Sequence, residues 1–291
     1  MLLGALEAGG TKMVCAIGNE KGKIQDRISI PTTSPLETMP QIASYFEQFK
    51  LEAIGIGCFG PIDLNRSSQT YGYITTTPKL KWANYDMVGF FRKHFRIPVG
   101  FDTDVNASAL GEATFGITTG LENSIYITIG TGVGVGVITN GKLLHGMLHP
   151  EAGHILLMRH PSDLSFTCNC PFHESCLEGL AAGPSVEKRW GKKGMDLAER
   201  SEVWALEAYY IGQALCDYIL MLSPEKIVLG GGIMHQTQLL PLIHKEVIKQ
   251  LNGYLKTEPL SHIEDYIVLP SLNDNQGIMG ALQLAVMEMT R

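Results

Sequence analysis

The stretch Gly4 to Lys12, GALEAGGTK, comes within one residue of the phosphate loop G-x-x-x-x-G-K-[ST]. Gly4, Gly9 and Thr11 stand where that motif requires them, but Gly10 takes the lysine position and the lysine arrives late, as Lys12. A phosphate loop works because it runs into a helix whose N-terminus faces the anion. Here the tip runs instead into Met13-Val14-Cys15-Ala16-Ile17, short, apolar and partly β-branched, closed by Gly18-Asn19. That pattern predicts a strand, so Gly9-Gly10-Thr11 is the tip of a hairpin.

Working outward, the polar turn GNEKGK and the run IQDRISIPT add a third strand and complete an antiparallel meander. Apolar spacing at Met39, Ile42, Ala43 and Phe46 predicts a helix over Pro35 to Lys50, and LEAIGIGCFGPID reads as a buried strand ending in a Gly-Pro turn. Next come a helix over Tyr85 to Phe95, a strand in IPVGFDTD and a helix through DVNASALGEATFG. At Leu121 the pattern restarts: NSIYITIG, the turn TGVG, then VGVITNGKLL repeat the construction of residues 2–30. Beyond a cysteine-rich loop come a helix near Leu177 to Trp190, a long helix near Glu202 to Leu222, and a strand KIVLGGGIM. The chain closes with a strand near Tyr266 to Leu269 and a helix Gly277 to Met289. Two α/β lobes are expected: residues 1–118 with 277–291, and residues 119–276, hinged near 116–122.

The second hairpin tip decides what the first is for. Gly130-Thr131-Gly132 again lies between two apolar strands. Glycines leave backbone N–H groups free to meet phosphate oxygens, and each threonine adds a hydroxyl. Paired hairpins of this kind resemble the actin/hexokinase-like (ribonuclease H-like) ATPase fold, with an active-site cleft between its lobes. Leu229-Gly230-Gly231-Gly232-Ile233, at a strand end, offers bare backbone to an adenine and ribose.

Bulk properties agree. The 291 residues are enough for two medium domains, and 45% hydrophobic with 18% charged residues fits a globular α/β enzyme. A net charge of −6 without any basic run speaks against nucleic acid as a partner. No apolar run is long enough to span a bilayer, and a strand starting at residue 2 leaves no targeting segment, so no membrane and a cytoplasmic setting are expected.

A kinase on this fold needs a carboxylate beside the attacking hydroxyl and Mg2+ across the phosphates. Asp104 stands where a strand hands over to a helix and, at an ordinary aspartate pKa, is ionised at neutral pH. Asp102 reads as a turn or cap residue, Glu112 as helix-borne and structural, and Glu7 as orienting a water on Mg2+ or the lysine. Three of the six cysteines crowd into nine residues, which points to metal in a chain without a secretion signal. Cys170, His173 and Cys176 have zinc spacing, and His154 supplies a fourth ligand for a structural site. A set with Cys168 in place of His173 stays open from the residues alone.

Four stretches, EAGGTK (Glu7 to Lys12), IGTGVG (Ile129 to Gly134), PEAGH (Pro150 to His154) and the cysteine loop ending in Cys176-Leu177-Glu178-Gly179, together resemble the ROK family of bacterial sugar kinases and repressors. The likeness runs in order along essentially the whole chain. GCFGPID (Gly57 to Asp63) and TPKLKW (Thr77 to Trp82) are similar to the fructokinase branch. The resemblance implies an ATP:D-fructose 6-phosphotransferase with Asp104 as base. Glu151, His154 and Glu178, with Gly60 and Pro61, would hold the sugar, and zinc on His154 would stiffen that loop. ATP would meet Gly9, Gly10, Thr11, Gly130, Thr131, Gly132, Pro184, Gly230, Gly231, Gly232, Ile233 and Met234. A homodimer is the family expectation. Two departures stand out: Thr103-Asp104 replaces the usual Asn-Asp, and the His173-containing loop replaces C-x-C-G-x-x-G-C, which makes Cys168 a bystander. Glucokinases and mannokinases of the family are the rival enzymes. Its repressors carry a helix-turn-helix ahead of the first hairpin, where this chain has no residues.

Overall fold

The structure is a computed structural model and describes residues 1–77 and 79–291; Pro78 of the TPKLKW stretch lies outside the described residues. The chain divides into two compact units, Met1–Gly120 with Lys142–Pro150 and Ser271–Arg291, and Leu121–Gly141 with Glu151–Pro270. Residues 142–150, expected from sequence in the second lobe, group with the first unit.

In the first unit, strands β1 (Leu3–Ala8), β2 (Lys12–Gly18) and β3 (Ile24–Pro31) form the antiparallel meander. β4 (Ala53–Cys58) and β7 (Val99–Thr103) continue the sheet in parallel, in the order β3-β2-β1-β4-β7. A small hairpin, β5 (Tyr73–Ile74) with β6 (Tyr85–Asp86), stands apart. The period of two along a strand sorts side chains between the sheet faces. Leu6 and Ala8 join Phe46, Ile54 and Phe91 in one core beside α1 (Pro35–Phe46) and α2 (Met87–Phe95). Leu3 and Ala5 join Ile278, Ala281 and Leu282 in another, beside α10 (Gln276–Met289). α10 packs closely on α3 (Asp104–Phe115): a Cβ on Gly280 would fall 1.6 Å from the Ala107 carbonyl oxygen, so only glycine permits this crossing.

The helix predicted from Tyr85 starts two residues later, because Asp86 caps it by accepting from the Gly89 N–H at 2.7 Å while Tyr85–Asp86 pair as a strand.

In the second unit, β8 (Ser124–Ile129) and β9 (Val133–Thr139) form a hairpin, and β11 (Lys226–Gly230) and β12 (Ile267–Val268) extend it in parallel. The order β9-β8-β11-β12 repeats β2-β1-β4-β7. Between β9 and the short β10 (Lys142–Leu143), Asn140 and Gly141 both adopt positive φ, the signature of a two-residue hairpin turn. The helix predicted over Leu177 to Trp190 is two, α4 (Leu177–Ala181) and α5 (Gly183–Trp190), broken at the extended Ala182 with Pro184 in the first turn of the second. α6 (Ser201–Leu222) packs on α7 (Leu239–Leu251), and two single turns, α8 (Glu258–Ser261) and α9 (Ile263–Tyr266), lead into β12. α7 is absent from the elements expected from sequence, although Leu239, Ile243, Val247 and Leu251 form a buried stripe at helical spacing.

Candidate active site and metal centre

In the first unit, the β1–β2 tip closes with the Gly9 N–H donating to the Lys12 carbonyl at 3.1 Å. It is held from behind by Thr32, whose hydroxyl donates to the Gly9 carbonyl at 2.8 Å. Thr11 and Lys12 are exposed at the tip. Gly60 and Pro61 come after β4, and His149 packs against Gly60 while its Nε2 accepts from the Ile62 N–H at 3.2 Å. Burial pushes the His149 pKa down, which suits a neutral acceptor.

Asp104 opens α3 at the end of β7, and Thr103 caps the helix by accepting from the Asn106 N–H at 3.0 Å. The carboxylate keeps partial exposure, yet desolvation raises its pKa to about 6, opposed by the Val105 N–H donating to Oδ1 at 2.8 Å. The ordinary aspartate pKa assumed from sequence is therefore corrected, because the surrounding protein disfavours the anion. Glu7 on β1 is raised further, to about 7, by burial and then by the Asp104 charge. Its carboxyl lies against Gly277 in the first turn of α10, where a Cβ would come within 2.7 Å.

Asp102 is not a turn or cap residue. It is buried within β7, accepts from Asn106 Nδ2 at 2.7 Å, and faces His145 Nε2 at 2.8 Å, which raises the histidine pKa. Glu112 is structural: it accepts from the Ile117 N–H and from the N–H and hydroxyl of Ser271.

In the second unit, Gly130-Thr131-Gly132 forms the β8–β9 tip, with Thr131 exposed. Two elements meet it. The Gly183 N–H at the start of α5, beside Pro184, donates to the Gly130 carbonyl at 2.8 Å. Gly231, at φ 88°, lies so close to Ile129 that a Cβ would come within 2.5 Å of backbone. Gly230 ends β11, and Gly232, Ile233 and Met234 wind into a short 3-10 turn, Gly232–His235. Glu178 on α4 accepts from the Val133 N–H at 3.0 Å and crosses Gly132, where a Cβ would be 2.6 Å from Oε2.

Glu178 also ties this tip to the cysteine loop. Its Oε1 is 3.9 Å from His154 Nε2, while His154 Nδ1 turns to the sulfurs, 3.6 Å from Cys176 Sγ and 3.9 Å from Cys170 Sγ. His173 Nδ1 lies 3.4 Å from Cys170 Sγ. All four ligand atoms fall within 4.8 Å of one another. Tetrahedral zinc, with bonds of about 2.3 Å to sulfur and 2.05 Å to nitrogen, separates such atoms by about 3.6 Å, so the set fits the ion. The Phe172 N–H reaches Cys170 Sγ and the Gly179 N–H reaches Cys176 Sγ, the support that thiolate ligands use. Cys168 is buried against Gly179, and the converging group contains His173 and not Cys168. Glu151 is exposed, directly before the 3-10 turn Ala152–His154.

Two sheets of one strand order, each opening on a hairpin with a glycine-threonine tip, define the actin/hexokinase-like α/β fold. The sequence profile of the ROK family matches residues 3–288, and the chain belongs to that family. It is 51% identical over 285 residues to the fructokinase of Pediococcus pentosaceus, covering 98% of each chain. With the fructokinase of Streptococcus mutans it shares 46% identity over 289 residues, 98% of this chain and 97% of the relative. The crystal structure of the ROK hexokinase from Thermus thermophilus superposes with a TM-score of 0.80 at 24% identity, covering 100% of this chain and 99% of that one.

Proposed function

We propose that the chain is an ATP-dependent fructokinase that transfers the γ-phosphoryl group of ATP to the 6-hydroxyl of D-fructose. The observation that carries the mechanism is Asp104: an accessible carboxyl at a strand–helix junction, with its pKa held at about 6. It is mostly ionised at neutral pH yet basic enough to take a hydroxyl proton, the compromise a general base needs. As the sugar oxygen bonds to phosphorus, the bond from phosphorus to the bridging oxygen breaks, ADP leaves with that electron pair, and the hydroxyl proton passes to Asp104. Near-full-length identity to two fructokinases supports fructose as the sugar.

On this reading Glu151, His154 and Glu178, with Gly60 and Pro61, hold the sugar. Gly9-Gly10-Thr11 and Gly130-Thr131-Gly132 meet the phosphates, and Pro184 with Gly230 to Met234 line the adenosine. Mg2+ bound with ATP would neutralise phosphate charge, and Glu7 fits beside it, since a cation would draw its raised carboxyl back to the anion. Zinc held by His154, Cys170, His173 and Cys176 would fix the His154 ring, so that Nε2 stays toward Glu178. A cytoplasmic homodimer belongs to the same reading. No helix among the described residues is long and apolar enough to cross a membrane.

Phosphorus–carbon coupling in the NMR spectrum of the product tests the reaction. Fructose 6-phosphate formed in step with ADP is expected. Phosphate on another hydroxyl would overturn the regiochemistry, and no sugar phosphate would overturn the activity.

A further inference from the structure

Lys79 belongs to the TPKLKW stretch, and its side chain lies across the tip of the first hairpin. A Cβ on Gly10 would be 2.6 Å from Lys79 Cε and 3.2 Å from Nζ. The end of the lysine side chain thus lies directly against Gly10, in the space a β-carbon would take. On its other side the ammonium stands 6.0 Å from the centroid of the Phe59 ring, itself buried edge-on against Trp82. The Lys79 N–H donates to Thr77 Oγ1 at 3.3 Å, fixing the start of the arm. Lys79 is half-buried and forms no ion pair among the described residues.

A lysine that merely covers apolar surface runs its stem along it and ends in water or at a carboxylate. This one ends over an aromatic face beside the open backbone of Gly10. The ammonium meets no carboxylate among the described residues, and a phosphate oxygen at the tip would supply the missing counter-charge. Lys12, by contrast, is exposed on the strand that leaves the tip.

Resting on the reading of this hairpin as a phosphate site, we propose that Lys79 contacts the phosphoryl group in transfer, on ATP before the reaction or on the sugar after it. Its role is charge on the non-bridging oxygens; the proton still goes to Asp104 and the electron pair to ADP.

The test compares Lys79→Met and Lys79→Arg in the full chain. For Lys79→Met, kcat is expected to fall by about 100-fold, the worth of one lost transition-state contact, with the fructose KM within about twofold. Lys79→Arg, which restores the charge, should recover at least about tenfold of that loss. Weaker binding of AMPPNP with ADP unchanged places the contact on the γ-phosphate, whereas weaker inhibition by fructose 6-phosphate with fructose binding unchanged places it on the product. A Lys79→Met enzyme with wild-type kcat and wild-type affinity for both ligands overturns the proposal. So does a loss confined to fructose KM, or a loss that arginine does not repair. In each of those cases the wild type still phosphorylates fructose, and the proposed function stands; a wild type inactive on fructose removes both.

Discussion

Asp104 is pulled two ways: burial raises its pKa to about 6, and the Val105 N–H favours the anion. Asp104→Asn should fold normally while kcat falls about 10²–10⁴-fold, the usual worth of a positioned base; steady-state turnover and circular dichroism check this, and near-wild-type turnover would contradict it. Because the base must be ionised, kcat/KM should fall about tenfold per pH unit below about pH 6. The same shift acts on stability with the opposite benefit. A carboxyl whose folded pKa exceeds its unfolded value favours the folded state below the unfolded pKa, and that contribution is lost as pH rises through about 6. Strand and helix periodicity made the position of Asp104 legible in the sequence. Its pKa was not, since that depends on what surrounds it, and neither was the Asp102–His145 pair, whose members are 43 residues apart. Lys79 was hidden for the same reason: only folding brings it to Gly10, 69 residues earlier.

Among the elements, the cysteine loop and α4 act as one piece, because Cys176 caps α4 and Glu178, two residues on, holds the β8–β9 tip. Stripping metal with a strong chelator should therefore lower the melting temperature and raise the sugar KM together. Cys168→Ser should keep one zinc per chain by elemental analysis, while Cys176→Ser should lose it. A second element-level feature is the buried cluster between α5 and α6. Arg189 bonds Asp163 at 2.9 Å and Glu207 at 3.4 Å, so two carboxyls share one guanidinium. Burial raises Glu207 to about 8, and its Oε2 has no hydrogen-bond partner among the described residues. Its stabilising contribution is present below the unfolded carboxyl pKa and is lost as pH rises through about 8. Glu207→Gln should flatten that decline in denaturant melts between pH 6 and 9; an unchanged slope would contradict the assignment. Legibility was uneven at this scale. The metal-binding spacing was plain because Cys170, His173 and Cys176 are local, whereas the sequence pointed to Asp102 as the turn or cap residue and the structure caps α3 with Thr103. The break at Ala182 was signalled only by Pro184 two residues later, and α7 by a narrow stripe ending at Asn252-Gly253, both at positive φ.

The molecule as a whole is built on a repeat, and that repeat is why the fold could be read at all. Two meanders with glycine-threonine tips recur about 120 residues apart, and the sheets they open share one strand order. What a repeat cannot convey is a segment that leaves its own half, and 142–150, which groups with the first unit, is the case in point. Sugar choice is a second such property, since it rests on individual side chains rather than on the plan they decorate. It is also the property most directly open to measurement. ADP release by the purified chain, monitored by a coupled assay with fructose, glucose, mannose and allose, should give a kcat/KM for fructose at least about tenfold above any other sugar, a margin of about 1.4 kcal/mol in transition-state binding. A kcat/KM for glucose equal to that for fructose would contradict it.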